Sequence, residues 1–169
     1  ITVCAEVNIK AVQSRFSQGW VDEIIDNLDS LVDRVKDAIN KKEVVSIAYH
    51  GNVIDVWKEF YNKKIHIDIG SDQTSLHNPW SGGYYPIGLS FDKANEMIYQ
   101  NPKLFKKKVK ESLVEQAKLI NKHANRGTYF FDYGNAFLLE ASKAKADVMS
   151  KDGVNFKFPS YVQDIMGPM

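Results

Sequence analysis

Short runs of β-branched and apolar residues alternate with longer amphipathic stretches along this chain. Four runs predict strands, at residues 1–7, 44–49, 65–69 and 128–132. The stretches between them place apolar residues at spacings of three and four, the pattern of a helix with one buried face. Strands that alternate with helices form parallel sheets, because a parallel connection must cross back over the sheet. The sequence therefore predicts an α/β fold, with one mainly parallel sheet and helices on both faces.

Helices are predicted in the stretches between and after the strands. Their expected ranges are residues 9–16, 21–39, 53–61, a helix that starts at 90, 103–125 and 136–149. Asn8 and Ser90 are expected to cap the helices that follow them, and Pro102 to occupy a first helical position. Trp20 and Trp57 lie within or beside these helices and are predicted to belong to the core. The residues after 156 are expected to be irregular.

Residues 72–86 form a polar connection with an unusual concentration of functional groups. It follows a predicted strand and contains an acid, an imidazole, hydroxyls, amides and aromatic rings. Loops at the carboxyl ends of strands in open α/β sheets are where ligands bind. The alternative is a polar surface loop, but solvated loops seldom carry tryptophan and paired tyrosines. We therefore expect a binding loop, with Trp80 available to pack on a planar ring.

His77 lies within this loop. A single loop histidine is more often a surface residue than a catalyst, but Asp72, Tyr84 and Tyr85 lie close in sequence. Hydrogen bonding to a ligand is therefore expected. The four histidines of the chain show no spacing typical of metal ligands, so no metal is expected.

Three turns that follow predicted strands share a composition of glycine or small polar residues. They are His50-Gly51-Asn52, residues 72–75 and Tyr133-Gly134-Asn135. Backbone N–H groups at such helix starts can face an anion. Each alone could be an ordinary capped turn. In a parallel sheet all three would lie at one edge, which predicts a shared crevice.

Glu6 ends the first predicted strand, where an acid in a dinucleotide fold accepts hydrogen bonds from ribose hydroxyls. From the sequence alone, a solvated strand-end glutamate is the favoured interpretation. No G-x-G-x-x-G occurs in the chain, so a phosphate-binding glycine-rich turn is absent. The chain begins inside a strand pattern, and we expect it to be part of a longer polypeptide.

Composition and charge limit which partners and which cellular compartment are expected for this chain. The formal net charge is +1, which gives no reason to expect nucleic acid or an anionic membrane as partner. The lysines at 106–108 and 110 are interpreted as a solvated helix face. No apolar run approaches the roughly 20 residues of a membrane span. Cys4 is the single cysteine, expected to be buried and inert in its strand, and its isolation suits a reducing, cytoplasmic location.

Three segments together resemble the urocanase family. They are D-Q-T-S-L-H-N-P-W-S-G-G-Y-Y-P at 72–86, F-D-Y-G-N at 131–135 and F-P-S-Y-V-Q-D-I-M-G-P at 158–168. Their order and spacing also resemble that family, and the likeness spans the whole chain. Urocanases are several times longer. The resemblance therefore implies a single Rossmann-like domain over 1–169 that lacks its first strand and glycine-rich turn, with a tail, 154–169, that leads back to a core domain.

The resemblance implies a hydro-lyase that adds water to urocanate and yields imidazolonepropionate in histidine degradation. In that family NAD+ is bound tightly and acts as an electrophile towards the imidazole of urocanate. The longer protein would be the enzyme, and this isolated piece is expected to be inactive. An exposed strand edge at residues 1–7 also predicts a homodimer. The alternative is a stand-alone nucleotide-binding or assembly module without catalysis.

The site residues implied by the resemblance fall in three groups. Glu6 would bind the adenosine ribose, and Asn52 and Val53 would line the nucleotide crevice. Contacts to the phosphate and nicotinamide half would come from Gln73, Thr74, Ser75 and His77, with Tyr84, Tyr85 and Tyr133 packed nearby. No catalytic residue is assigned, and His77 is the one candidate for that role.

Overall fold

Two compact units make up the chain, residues 1–65 and residues 66–169. The computed structural model describes residues 1–72, 78–134 and 136–168. The assignment of the whole chain to a single domain stays a prediction.

The first unit alternates strands and helices throughout. Its elements are β1 (Thr2–Glu6), α1 (Ile9–Ser17), β2 (Glu23–Ile25), α2 (Leu28–Lys41), β3 (Ser46–His50) and α3 (Val53–Asn62). The strands form a parallel sheet in the order β1-β3-β2, with Glu6 opposite His50 and Ile25 opposite Tyr49. The predicted parallel α/β architecture is therefore confirmed.

Strand β3 is the centre of this sheet and of its core. Ile47, Ala48 and Tyr49 follow one another and are all buried, so both faces of the strand are covered. The chain crosses over β3 from β1 to β2 and then returns to β3. Because parallel crossovers are right-handed, these two opposite moves put α1 and α2 on opposite faces of the sheet.

Each strand of the first unit leads into its helix through an asparagine. Asn8, Asn27 and Asn52 each lie two residues beyond the end of a strand and cap the next helix. Their side-chain oxygens accept hydrogen bonds of 3.0 Å from the backbone N–H groups of Lys10, Ser30 and Ile54. All three helices therefore begin at the carboxyl edge of the sheet, as an Asn cap favours. The predicted cap at Asn8 is confirmed.

The start of the second helix was predicted wrongly. Residues 23–25 form strand β2, and α2 starts only at Leu28. Ile24 and Ile25 fit helical spacing as well as a strand, and the cap at Asn27 is what decides between them.

Two residues predicted to be buried are exposed. Trp20 is 72% exposed, because Gly19 at φ 74° ends α1 and places the indole in the following connection. Cys4 is exposed because β1 lies at the edge of the sheet. Partial desolvation and the nearby Glu6 carboxylate raise the pKa of the Cys4 thiol, which therefore stays protonated. Trp57, by contrast, is buried as predicted.

The second unit has two strands and longer helices. Its elements are β4 (Ile69–Asp72), a short 3-10 helix (Pro79–Ser81), α4 (Phe91–Gln100), α5 (Pro102–Ala124), β5 (Tyr129–Asp132), α6 (Ala136–Lys143) and a π-helical turn (Tyr161–Met166). Strands β4 and β5 are parallel, with Asp72 opposite Asp132. Helix α5 is the spine of the unit, because α4, α6, β5 and the 3-10 helix all pack against it. The predicted cap at Ser90 and the proline at the start of α5 are confirmed.

The prediction of one continuous sheet is wrong for the described residues, whose strands form two separate sheets. Strand β3 has β1 and β2 on its two sides, so it offers no free edge to β4. The strand predicted at 65–69 also lies later. Lys64 adopts a left-handed conformation and the N–H of Ile65 donates to Phe60 O, so this apolar residue closes α3 instead of opening a strand.

The end of the chain also differs from prediction. Helix α6 stops at Lys143 rather than 149, because Lys145 is left-handed, φ 66°, and the N–H of Ala146 turns back to Ala141 O. The tail is not wholly irregular. Ser160 pairs with Asp132 in an isolated parallel bridge before the π-helical turn. Among the described residues, no helix combines the length and the apolar character needed to cross a membrane.

Ile54 and Ile39 allow a matched test of this core. Ile54 is fully buried at the start of α3, whereas Ile39 on α2 is 49% exposed. Ile54→Ala should lower the free energy of unfolding by about 2–5 kcal/mol, and Ile39→Ala by less than about 1 kcal/mol. Amide hydrogen exchange of the β3 backbone measures both. Equal losses would contradict the placement of the core.

Candidate functional site

Glu6 lies at the carboxyl edge of the first sheet, and the local backbone fixes its side chain. The N–H of Asn8 donates to Glu6 Oε1 at 2.7 Å, and the N–H of Gly51 donates to the Glu6 carbonyl at 3.0 Å. Within the described part of the chain, no donor reaches the other carboxylate oxygen. Glu6 is therefore a positioned acid with one acceptor still available.

Gly51 explains how the chain leaves β3 beside this acid. A Cβ at this position would fall on the ring of Tyr49, which is buried. Only glycine lets the backbone turn so closely over that ring. The turn delivers Asn52 and Val53 to the start of α3, at the same edge of the sheet as Glu6.

Three helix N-termini meet this edge, which shapes its electrostatics. Each carries unpaired backbone N–H groups and the positive end of a helix dipole. Acids in the first turns of α2 and α3, Asp29 and Asp55, offset part of this field, whereas the first turn of α1 has none. Glu6, Asn52 and Val53 thus lie at one edge of the sheet, which is suited to polar and anionic groups.

In the second unit, two buried acids end the paired strands. Asp72 and Asp132 lie opposite each other and are 5% and 2% exposed. Burial raises the pKa of Asp132, and the charge of Asp72 adds to the rise, although the N–H of Leu138 donates to Asp132 Oδ2 at 3.0 Å and opposes it. The buried Asp132 carboxylate therefore accepts hydrogen bonds from the backbone at the start of α6.

Asp72 continues into a buried hydrogen-bond chain. Gln116 Nε2 on α5 donates to Asp72 Oδ2 at 2.7 Å, and Tyr84 Oη donates to Gln116 Oε1 at 2.7 Å. All three side chains are buried, and desolvation together with the Asp72 charge raises the pKa of Tyr84 well above its ordinary value. The phenol therefore remains a donor across the physiological pH range.

Gln116 was missed in the sequence. The available signal was its position on the buried side of α5, three residues after Leu113 and four before Ile120. A glutamine there has to find partners, because an unpaired buried amide is costly.

The other predicted aromatic residues lie apart from this chain. Tyr85 Oη donates to Asn95 Oδ1 at 3.0 Å, and its ring stacks on Phe91 at 5.0 Å, so it packs on α4. Tyr133 follows β5, is 51% exposed, and stacks on Tyr161 at 5.6 Å. Of these two rings, Tyr133 is the more exposed.

Several predicted contacts fall on residues that lie outside the described part of the chain. These are Gln73, Thr74, Ser75 and His77, and Asn135 of the third turn. Their roles stay predictions. Gly51 and Asn52 belong to the first unit and Tyr133 to the second, so the predicted shared crevice also stays a prediction. Over residues 1–72, 78–134 and 136–168, no group of three or more His, Cys, Asp or Glu side chains is arranged to hold a metal ion.

Comparison with known proteins assigns the chain to a family. The model of the urocanase Rossmann-like domain matches residues 1–165. This chain belongs to the urocanase family. The predicted family and Rossmann-like fold are confirmed.

Known urocanate hydratases are similar to this urocanase chain over nearly its whole length. It is 48% identical to the urocanate hydratase of Homo sapiens, over 99% of this chain and 26% of that protein. The urocanate hydratase of Mus musculus is 49% identical over the same shares. A probable urocanate hydratase of Dictyostelium discoideum is 49% identical, over 99% of this chain and 25% of that protein. The chain spans about a quarter of the length of these relatives.

Described residues from each of the three segments that carry the urocanase resemblance meet at one edge of the second unit. The N–H of Tyr133 donates to Asp72 O at 3.1 Å, and the N–H of Asp132 donates to Pro159 O at 3.0 Å. Ser160 bridges to Asp132, and the N–H of Val162 donates to Tyr133 O. Residues distant in sequence therefore form one backbone-connected cluster at the carboxyl ends of β4 and β5.

Tyr84→Phe tests the buried chain. Removal of the hydroxyl leaves Gln116 Oε1 buried without its donor, so the free energy of unfolding should fall by about 1–3 kcal/mol. Tyr99→Phe is the matched control, since Tyr99 is 86% exposed, and should change it by less than about 0.5 kcal/mol. Amide hydrogen exchange in α5 measures both. A Tyr84→Phe effect no larger than the control would show that the bond contributes nothing.

Proposed function

We propose that this chain is the NAD-binding part of a urocanate hydratase, which adds water to urocanate to give imidazolonepropionate. The observation that carries the proposal is the urocanase match over residues 1–165, together with relatives named urocanate hydratase at about half identity. Since the chain spans a quarter of those relatives, the hydro-lyase activity is proposed for a longer protein and not for this piece alone.

The geometry of Glu6 fits a nucleotide ribose. A ribose diol presents two hydroxyl donors, and the available carboxylate oxygen of Glu6 is a matching acceptor. Asn8 holds the other oxygen and so orients the group. Asn52 and Val53 border the same edge and would line the crevice.

The second unit would serve the nicotinamide half of the cofactor. Bound NAD+ would supply an electrophilic ring to the imidazole of urocanate. The half-exposed face of Tyr133, backed by Tyr161, is suited to pack against a planar ring. Gln73, Thr74, Ser75 and His77 are proposed as contacts, with Tyr85 nearby. Tyr84 would act through Gln116, because its hydroxyl is committed to that amide.

The proposal includes a cytoplasmic location and a homodimer. With one cysteine the chain forms no internal disulfide, as suits a reducing compartment. In the described sheet β1 pairs with β3 on one side, and its other edge can pair with a second copy. Sedimentation equilibrium of this chain should give twice the monomer mass, and a monomer at all concentrations would contradict the dimer.

A titration with NAD tests the cofactor assignment. The chain should bind NAD weakly and leave urocanate unchanged, because it has no glycine-rich turn to approach the pyrophosphate. Glu6→Gln should weaken NAD binding about tenfold through loss of charge-assisted hydrogen bonds. Chemical-shift titration by NMR can follow such weak affinities.

Glu96→Gln is the control for this titration, since Glu96 is exposed on α4 and is not among the proposed site residues. It should bind NAD like the wild-type chain. An unchanged affinity for Glu6→Gln would remove Glu6 from the site. If this chain binds NAD as tightly as a full-length urocanate hydratase does, the glycine-rich turn is dispensable. If a full-length relative binds NAD but does not hydrate urocanate, the alternative of a nucleotide-binding module is favoured.

A further inference from the structure

Helix α5 carries two buried polar side chains within an otherwise apolar face. Ser112 and Gln116 are each 1% exposed and lie one helical turn apart, among Phe105, Val109, Leu113 and Ala117. Polar side chains are retained in such a face only when their partners are fixed. Their partners therefore indicate what this face of α5 holds.

Both side chains bond to the connection between β4 and α4. Gln116 bonds to Asp72 at the start of that connection and to Tyr84 near its end. Ser112 Oγ accepts from the N–H of Ile87 at 3.0 Å. The two ends of residues 72–87 are thus attached to adjacent turns of one helix.

A third contact comes from an exposed residue of the same helix. The Lys110 ammonium lies 6.0 Å from the centre of the Trp80 ring, and the 3-10 helix that holds Trp80 packs against α5. Helix α5 therefore contacts this connection at its start, in its middle and at its end.

The amide of Gln116 can pair with these two partners in only one orientation. Its N–H must face an acceptor, which Asp72 provides as a carboxylate, and its oxygen must face a donor, which the Tyr84 hydroxyl provides. Serine or asparagine could not span both partners, and a leucine would satisfy neither. Glutamine is the side chain whose length and two-ended chemistry match.

We propose that Gln116 is a positioning residue that joins Asp72 to Tyr84 and so sets the geometry with which residues 78–87 meet the nicotinamide half of NAD. The second half of this inference rests on the proposed function. Gln116 itself is buried and acts through Asp72 and Tyr84.

The link that Gln116 makes between Asp72 and Tyr84 is called the clamp below. Gln116→Leu and Gln116→Glu test the clamp without any ligand. The readout is hydrogen exchange of the Ser81 and Gly83 amides, which both donate to Asn78 O inside the connection. Gln116→Leu should speed their exchange about tenfold at every pH, with a smaller change at amides in the middle of α5. Gln100→Leu, an exposed position on α4, is the matched control and should leave all these amides unchanged.

Gln116→Glu separates the effect of the lost hydrogen bonds from the effect of a changed side-chain volume, because glutamate and glutamine are nearly the same size. When protonated, its carboxyl group can still donate to Asp72, and the Tyr84 hydroxyl can still donate to it. When ionised, it faces the Asp72 carboxylate, with Asp132 beyond it on β5. Exchange at Ser81 and Gly83, taken relative to wild type at the same pH, should therefore be near normal at acidic pH and rise towards that of Gln116→Leu as the pH increases.

NAD titrations of the same samples test whether Gln116 also sets the geometry of NAD binding. Gln116→Leu should bind NAD about tenfold more weakly than wild type, and Gln100→Leu equally well. Unchanged exchange in Gln116→Leu overturns the clamp. If Gln116→Leu exchanges faster but binds NAD with unchanged affinity, the Gln116 hydrogen bonds are only structural, and the positioning role is overturned. If the wild-type chain does not bind NAD, the proposed function fails and the cofactor half fails with it, while the exchange data still decide the clamp.

Discussion

The burial of β3 on both faces is the constraint on which the first unit depends. Three consecutive core residues, Ile47 to Tyr49, require cover from both sides. Helices on opposite faces supply that cover only if the chain crosses the sheet in both directions, and each crossing returns every strand to the same orientation. All carboxyl ends, including that of Glu6, then meet at one edge. The location of the candidate ribose site is thus a consequence of how the core is covered.

The second unit is organised by a different requirement, the pairing of buried polar groups. Asp72 and Asp132 end adjacent strands inside the unit, where an unpaired carboxylate would be costly. Asp132 is satisfied by N–H groups at the start of α6, and Asp72 by the amide of Gln116. Because both solutions recruit helices, the same hydrogen bonds that make burial tolerable also attach the end of β4 to α5 and the end of β5 to the start of α6.

Local patterns in the sequence were sufficient for most of the helices and insufficient for the pairing of the strands. The spacing of apolar residues, the caps at Asn8 and Ser90, and Pro102 predicted α1, α3, α4 and α5 closely, because these signals act within one helix. Which strands pair depends on contacts between distant residues, so the division into two sheets was not predictable from periodicity. Ile65 shows the same limit, since an apolar residue can start a strand or close a helix. Glu6 became a site candidate through the resemblance, because a strand-end acid alone favours a solvated side chain, whereas the part played by Gln116 depends on Asp72 and Tyr84 lying beside it.

The three tryptophans occupy three distinct environments, and this makes the chain its own spectroscopic probe. Trp20 is 72% exposed, Trp57 is 6% exposed in the first unit, and Trp80 lies beside a lysine ammonium in the second. An indole in water emits at longer wavelength and is open to ionic quenchers, whereas one packed in a core is shielded from both effects. Steady-state emission of this chain is therefore a sum of separable signals, and with Trp20 quenched by iodide the remaining light reports on the interior of one unit and on the α5 face of the other.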